Sequence, residues 1–335
     1  MILVTGGAGY IGSHTVLNLS NAGYDIVVFD NLETGHAETI ETLKNICNIK
    51  FIKGDLRNLE DVNKIFETYD IEAVVHFAAF SLVGESVTNP AKYYRNNTYG
   101  TLNLLEAMVN HNVKKIVFSS TCATYGEPEY TPIDEKHPQN PINPYGASKL
   151  MIERIMKDFD TAYGLKSIKL RYFNVAGCDK NIRIGEWHNP ETHLIPNILK
   201  STFSDGKTFK IFGNDYDTPD GTCIRDYVNV EDLAQAHRLA LEYLKKENKS
   251  DVFNLGTEQG DSVKNVFDVC EKVLNQKIKV EIVERRPGDP AKLFANSNKA
   301  KSILRWLPER TLENSIDSAY RWECKLNEGV IQNVK

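Results

Sequence analysis

Short apolar runs alternate with helix-length segments through the first half of the chain. Ile2–Val4, Asp25–Phe29, Ile49–Ile52, Ala73–His76, Lys115–Phe118 and Ser167–Leu170 are rich in branched apolar residues and short enough to be buried strands. The stretches between them carry apolar positions at helical spacing. Such alternation predicts an α/β protein with a doubly wound parallel sheet, whose ligands sit at the carboxyl ends of the strands. The pattern loosens from about Asn174, and turn formers crowd the segment from Gly213 to Gly221. Helix and strand patterns then resume at Glu231–Lys245, Val252–Leu255, Val263–Leu274 and Lys279–Val283. No internal repeat interrupts this order.

The first strand runs into Thr5-Gly6-Gly7-Ala8-Gly9-Tyr10-Ile11-Gly12 and then an apolar helix. Glycines at 6, 9 and 12 permit a tight turn, close approach of backbone to a pyrophosphate and close helix–strand packing, with the phosphates at the helix N-terminus. The spacing is GxxGxxG rather than the commoner GxGxxG. Asp30 closes the second strand about 20 residues after the loop, where a carboxylate accepts from a ribose 2′-hydroxyl and repels a 2′-phosphate. Together these features predict a Rossmann-type fold that binds NAD in preference to NADP. They divide the chain into residues 1–173 plus roughly 227–255 as the NAD-binding domain, and roughly 174–226 plus 256–335 as a smaller α/β substrate-binding domain.

Tyr145 and Lys149 lie four residues apart in Asn143-Pro144-Tyr145-Gly146-Ala147-Ser148-Lys149. Asn143 is suited to cap a helix and Pro144 to its first position, so the pair falls on one face of the first turns. A free phenol titrates near pH 10, and lowering it to neutrality takes roughly 4 kcal/mol. Lys149 and a cationic nicotinamide would supply it. An isolated YxxxK recurs by chance with its tyrosine packed and its lysine solvated; the glycine loop gives this one its chemistry.

Composition narrows the reading without changing it. The 335 residues suffice for two domains, and a net charge of −5 points away from nucleic acid and anionic membranes. The six cysteines form no CxxC pair, which predicts a reducing, cytoplasmic setting. No signal peptide is expected, because Met1 leads straight into the first strand, and no apolar run nears the length of a membrane span. The eight histidines form no ligand pattern; His188 and His193, near Glu186 and Glu191, come closest, and no metal is expected.

Seven segments together resemble the extended short-chain dehydrogenase/reductases: the glycine loop, Gly54-Asp55-Leu56-Arg57, His76-Phe77-Ala78-Ala79, Phe118-Ser119-Ser120-Thr121, Tyr145xxxLys149, Arg171-Tyr172-Phe173-Asn174 and Arg225-Asp226-Tyr227. Within that family the likeness is to the branch that inverts C4 of UDP-hexoses, and it runs from Met1 to about Trp322. It implies reversible 4-epimerisation of UDP-glucose and UDP-galactose through a transient 4-keto sugar, with hydride passing to and from tightly held NAD. Tyr145 would exchange the 4-hydroxyl proton, Lys149 would depress the phenol pKa and hold the nicotinamide ribose, and Thr121 would hydrogen-bond the same hydroxyl.

The resemblance extends to binding residues. Beyond Gly6, Gly9, Tyr10, Ile11 and Gly12, the cofactor would meet Asp30 and Asn31 at its adenosine ribose and Asp55 and Leu56 at adenine. Phe77, Ala78 and Ala79 would follow its phosphates, with Asn96, Ser119 and Tyr172 around them. Ser81 stands where some members carry a lysine, which removes a direct charge contact to the phosphates. The sugar nucleotide would meet Asn174, His193 and Leu194, the arginines Arg225 and Arg286 at its diphosphate, Asp289 at the uridine ribose and Phe212 over uracil. Leu293 replaces a tyrosine found in members confined to plain hexoses, so UDP-GlcNAc and UDP-GalNAc become a second substrate pair.

Other readings separate on particular residues. A sugar-nucleotide 4,6-dehydratase needs an acid and a base after the threonine, where this chain has Cys122-Ala123. A non-catalytic NAD sensor would lack Tyr145 and Lys149, and a simple dehydrogenase would consume NAD with product. Members of the family pair as homodimers through two helices, matching about Ala91–His111 and Asn143–Tyr163 here.

Overall fold

The computed structural model describes residues 1–203, 208–285 and 289–329. The six predicted runs are strands β1 (Ile2–Thr5), β2 (Ile26–Asp30), β3 (Ile49–Lys53), β4 (Ala73–His76), β5 (Lys115–Ser119) and β6 (Lys166–Tyr172). The later strands are β7 (Asn174–Ala176), β8 (Phe209–Phe212), β9 (Ile224–Arg225), β10 (Tyr227–Asn229), β11 (Asp251–Leu255), β12 (Asp261–Ser262), β13 (Val280–Val283) and β14 (Lys292–Leu293). The large sheet has the order β11-β6-β5-β4-β1-β2-β3, and every pairing in it is parallel.

Strand periodicity sorts the apolar residues into two cores, one on each face. Ile2, Val4, Ile26, Val28, Val75 and Val117 point into one; Leu3, Val27, Phe29, Val74, Ile116 and Phe118 into the other. Helices Tyr10–Asn21 and Val230–Glu247 cover the first face, and helices Leu59–Thr68 and Gly100–Asn110 the second. Because the register pairs Thr5 with both Phe29 and His76, and His76 with Phe118, the strand ends form a single row.

Two expectations are adjusted. The single helix predicted over Ala91–His111 is a short helix Pro90–Tyr93, a π-helical stretch Tyr94–Tyr99 and helix Gly100–Asn110. The irregular stretch carries the buried Asn97 inward, where its amide bonds both backbone groups of Phe80 and the Ser148 hydroxyl. The chain also rejoins the large sheet only through β11, since β10 pairs with β7 instead.

The second half builds small sheets: β10 with β7, β12-β9-β14, and β13 with β8. Helices Leu194–Thr202, Val263–Leu274 and Leu312–Asn327 enclose a third core around Ile198, Phe267 and Ile316. Among the described residues no helix is long and apolar enough to cross a membrane.

Candidate active site

A cleft of about 970 Å³ runs along the carboxyl ends of the large sheet. Its floor is the glycine loop. Gly6 sits at φ 73°, and a Cβ there would lie 2.5 Å from the Ala78 nitrogen, so only glycine lets the loop pack against the end of β4. At Gly12 a Cβ would collide with the Gly6 carbonyl. Helix Tyr10–Asn21 starts with no side-chain cap, and Gly9, Tyr10, Ile11 and Gly12 line the cleft. Its first-turn N–H groups therefore form a cradle for an anion.

Asp30 has a second duty that the sequence did not signal. Its carboxylate accepts from the Ala8 N–H at 3.0 Å and the Leu32 N–H at 2.9 Å, tying the glycine loop to the end of β2. Burial raises its pKa against those bonds. Asn31 donates to Asp55 at 3.0 Å and Arg57 to Asp55 at 2.8 Å. Burial works to raise Asp55, but the bonds from Arg57 and Asn31 outweigh it and bring the carboxyl down to about 2. Leu56, Phe77, Ala78, Ala79, Asn96, Ser119 and Tyr172 complete this part of the lining. The cradle, the strand-end acid and the apolar walls fit a dinucleotide.

Thr121, Tyr145 and Lys149 line the same cleft. Asn143 caps helix Pro144–Tyr163, accepting from the Gly146 N–H at 2.8 Å, which fixes Tyr145 and Lys149 in its first turns. Lys149 is 3% exposed; its ammonium donates to the Ser119 carbonyl at 2.8 Å and lies 4.8 Å from the Phe118 ring centroid. Burial pulls this amine down to about 7, with the Glu153 charge working the other way. Burial likewise pushes the Tyr145 phenol up to about 12, against a hydrogen bond with Thr121. Lys149 directs its ammonium to a backbone carbonyl, and desolvation dominates at the Tyr145 phenol.

A buried network behind these groups went unseen in the sequence. Glu153 accepts from Ser120 at 2.5 Å and pairs with Arg171, whose guanidinium also donates to Tyr125 at 2.9 Å. Tyr125 in turn donates to Asn254 at 2.6 Å. It joins β5, β6, β11 and the helix of Tyr145 through contacts up to 129 residues apart in the chain, which no local pattern reveals.

The expected sugar-nucleotide residues divide. Asn174, His193 and Leu194 line the cleft. Arg225 and Leu293 face each other in the β9–β14 pair, and Arg225 lies 3.3 Å from Asp289. Leu293 packs on a small core together with Cys122, the neighbour of Thr121. Phe212 ends β8, beside the turn at Gly213. Phe212, Arg225, Asp289 and Leu293 are outside the cleft lining proper, and Arg286 lies outside the described residues.

The whole chain has close counterparts. A profile described as GDP-mannose 4,6 dehydratase matches residues 3–319. The UDP-glucose 4-epimerase of Halalkalibacterium halodurans is 52% identical over 322 residues, covering 96% of this chain and 95% of that protein. The chain belongs to the UDP-glucose 4-epimerase branch of the extended short-chain dehydrogenase/reductases. Among solved structures of that branch, the Bifidobacterium longum enzyme in complex with NAD+ and UDP superposes with a TM-score of 0.92 at 39% identity, covering 98% and 99% of the two chains. The UDP-Glc/GlcNAc 4-epimerase of Campylobacter jejuni does so with 0.86 at 44%, covering 97% and 99%.

Two features of this epimerase-family chain have no counterpart in the sequence motifs. Trp187 stacks on His36 with ring centroids 3.8 Å apart, and both line the cleft. The fold also gathers Glu186, His188, Glu191 and His193, the nearest approach to a ligand pattern in the sequence though no metal was expected there, with one donor atom of each within 4.8 Å of the others.

Proposed function

We propose that this chain interconverts UDP-glucose and UDP-galactose by inversion at C4, with NAD retained through turnover. The observation that carries the reading is the convergence of Thr121, Tyr145 and Lys149 in a cleft also lined by the glycine loop and by Asp30. When bound, NAD supplies a reversible hydride acceptor and a positive ring beside the phenol. The chain's own groups handle the proton and the positioning. Thr121 orients the sugar 4-hydroxyl, and Tyr145, as phenolate, takes its proton and returns it to the same oxygen after the 4-keto sugar has turned its opposite face to the cofactor. Burial works against the charge on Lys149 and Glu153 works to hold it, and in its charged form Lys149 favours the phenolate. The Ser119 carbonyl holds that ammonium in place.

Asn174, His193 and Leu194 on the cleft wall, with Arg225, Arg286, Asp289 and Phe212, receive the UDP. Leucine at 293 leaves room beside C2, so UDP-GlcNAc and UDP-GalNAc are a second pair, in keeping with the Campylobacter relative's name. Residues 1–173 with roughly 227–255 form the NAD-binding domain, and the remainder binds UDP-sugar. The chain works as a cytoplasmic homodimer: its six cysteines are unpaired, and Tyr99, Met151 and Tyr163 on the two expected helices are exposed. The 4,6-dehydratase reading, favoured by the profile description, lacks its acid and base; Cys122 is pushed by burial up to about 12 and supplies neither.

Purified protein, with no nucleotide added, is incubated with UDP-galactose or UDP-GalNAc while the sugar anomeric protons are followed by NMR. Conversion of both supports the open pocket, and conversion of UDP-galactose alone restricts the enzyme to plain hexoses. Failure of both after NAD is supplied removes the reading.

A further inference from the structure

The wall of the cleft carries a second set of chemical groups. Glu186, His188, Glu191 and His193 occupy a single stretch, Glu-x-His-x-x-Glu-x-His, that leads into helix Leu194–Thr202. His188 Nδ1 lies 3.3 Å from Glu186 Oε1 and 3.7 Å from Glu191 Oε1. His193 Nδ1 lies 4.0 Å from the same Glu191 oxygen and hydrogen-bonds Glu186. Four nitrogen and oxygen ligands on one ion, with bonds of about 2.1 Å, stand about 3.4 Å apart in a tetrahedron. Of the four histidine–glutamate separations three lie between 3.3 and 4.0 Å, and all four donor atoms lie within 4.8 Å of one another; the His193–Glu186 contact must lengthen to admit an ion.

Charge points the same way. The side chains of Glu186 and Glu191 are only 4% and 6% exposed. The cations in ion-pair contact with them are the two imidazoles and Lys200, and Lys200 also pairs with Glu323 at 3.6 Å. Lys200 is shared between Glu191 and Glu323. Protons on the imidazoles, or a divalent cation between neutral imidazoles, balance what remains of the two carboxylate charges. The surrounding bonds already orient the donors. The Trp322 indole donates to the Glu186 carbonyl at 2.7 Å, and the Glu191 carboxylate accepts from the Thr192 and His193 N–H groups at 2.8 and 2.9 Å. Two imidazoles with two carboxylates suit Zn²⁺ and its neighbours better than the all-oxygen preference of Mg²⁺ or Ca²⁺.

We propose that Glu186, His188, Glu191 and His193 form a binding site for a divalent transition-metal ion of the Zn²⁺ type on the cleft wall. The site sits beside the glycine loop, with the His188 ring edge-on to Tyr10 at 6.3 Å. It departs from the expectation of no metal, and it takes as a ligand His193, which the proposed UDP site also uses.

The full chain with its bound nucleotide is treated with chelator, exchanged into chelator-free buffer and titrated with Zn²⁺ or Co²⁺. The expected results are about one equivalent of Zn²⁺ retained through gel filtration and release of protons from the imidazoles as it binds. Co²⁺ gives the intense visible bands of a four-coordinate site, and excess Mg²⁺ does not compete. His188→Asn and, separately, Glu191→Gln each lower Zn²⁺ affinity about a hundredfold or more, since even outer-shell losses cost 10- to 100-fold. Circular dichroism and nucleotide content check the fold of both; if His188→Asn does not fold, Glu191→Gln decides. A parent chain that retains no Zn²⁺ overturns the assignment. So does Zn²⁺ held as tightly by the variants as by the parent.

Discussion

The two ends of the cleft are assembled from different kinds of contact. At the dinucleotide end, the groups sit at the ends of β1, β2, β4, β5 and β6, strands locked in one parallel register and buried on both faces. Beyond the cleft lining, where the UDP is proposed to bind, Arg225 and Leu293 come from two-residue strands 68 positions apart that meet only in a three-stranded sheet. The first end inherits its precision from the sheet. The second depends on long connections closing correctly, and its cross-link, Arg225 to Asp289 at 3.3 Å, is partly open to solvent. On the proposed reading, chemistry is held on the rigid side and substrate choice on the adaptable side.

Substitutions at each end sharpen or break that contrast. Tyr145→Phe should lower kcat about a thousandfold, with nucleotide content unchanged, as read by NMR turnover and absorbance of the released cofactor. An equal loss of bound NAD would show that the ring anchors the cofactor rather than moving a proton. Arg171→Met leaves Glu153 buried without its partner and should cost about 3–5 kcal/mol in urea unfolding. A cost near zero would mean that the rigid end does not rest on this network.

A smaller effect is expected from pH. Lys149 is pulled by burial from 10.5 to about 7, so between those values the unfolded chain holds a proton that the folded chain lacks. Stability from this group therefore rises as pH rises through that window and is lowest below it. In nucleotide-free protein, Lys149→Met should flatten the rise in urea midpoint between neutral and alkaline pH; an unchanged slope would refute the burial argument. Leu293→Tyr should be the mildest, lowering kcat/KM for UDP-GalNAc relative to UDP-galactose about 10- to 100-fold without altering stability. A ratio that stays constant would move substrate choice elsewhere in the second half.

Legibility followed the range of the contacts. β1, the glycine loop, Asp30 and the Asn143-capped helix were readable because each is specified within a few residues: apolar runs, glycine sterics, a cap three residues before the N–H it binds. The break in the helix at Tyr94–Tyr99 was not, since its companion is the bond from Asn97 to Phe80 and Ser148 across the fold. The surroundings of Tyr145 were not legible for a related reason. Spacing places a lysine beside a phenol, but whether its charge reaches the ring depends on burial and on the carbonyl of Ser119.

The amino-acid sequence by itself determined the parallel α/β scaffold, the dinucleotide cradle and the placing of Tyr145 and Lys149 in the first turns of a capped helix, because hydrophobic period, glycine conformation and helix capping act locally. Only the tertiary structure decided how those groups are charged, which residues brace them and that two histidines and two glutamates meet on the cleft wall. Desolvation and donor geometry are properties of what surrounds an atom, and those surroundings exist only once distant segments have packed together.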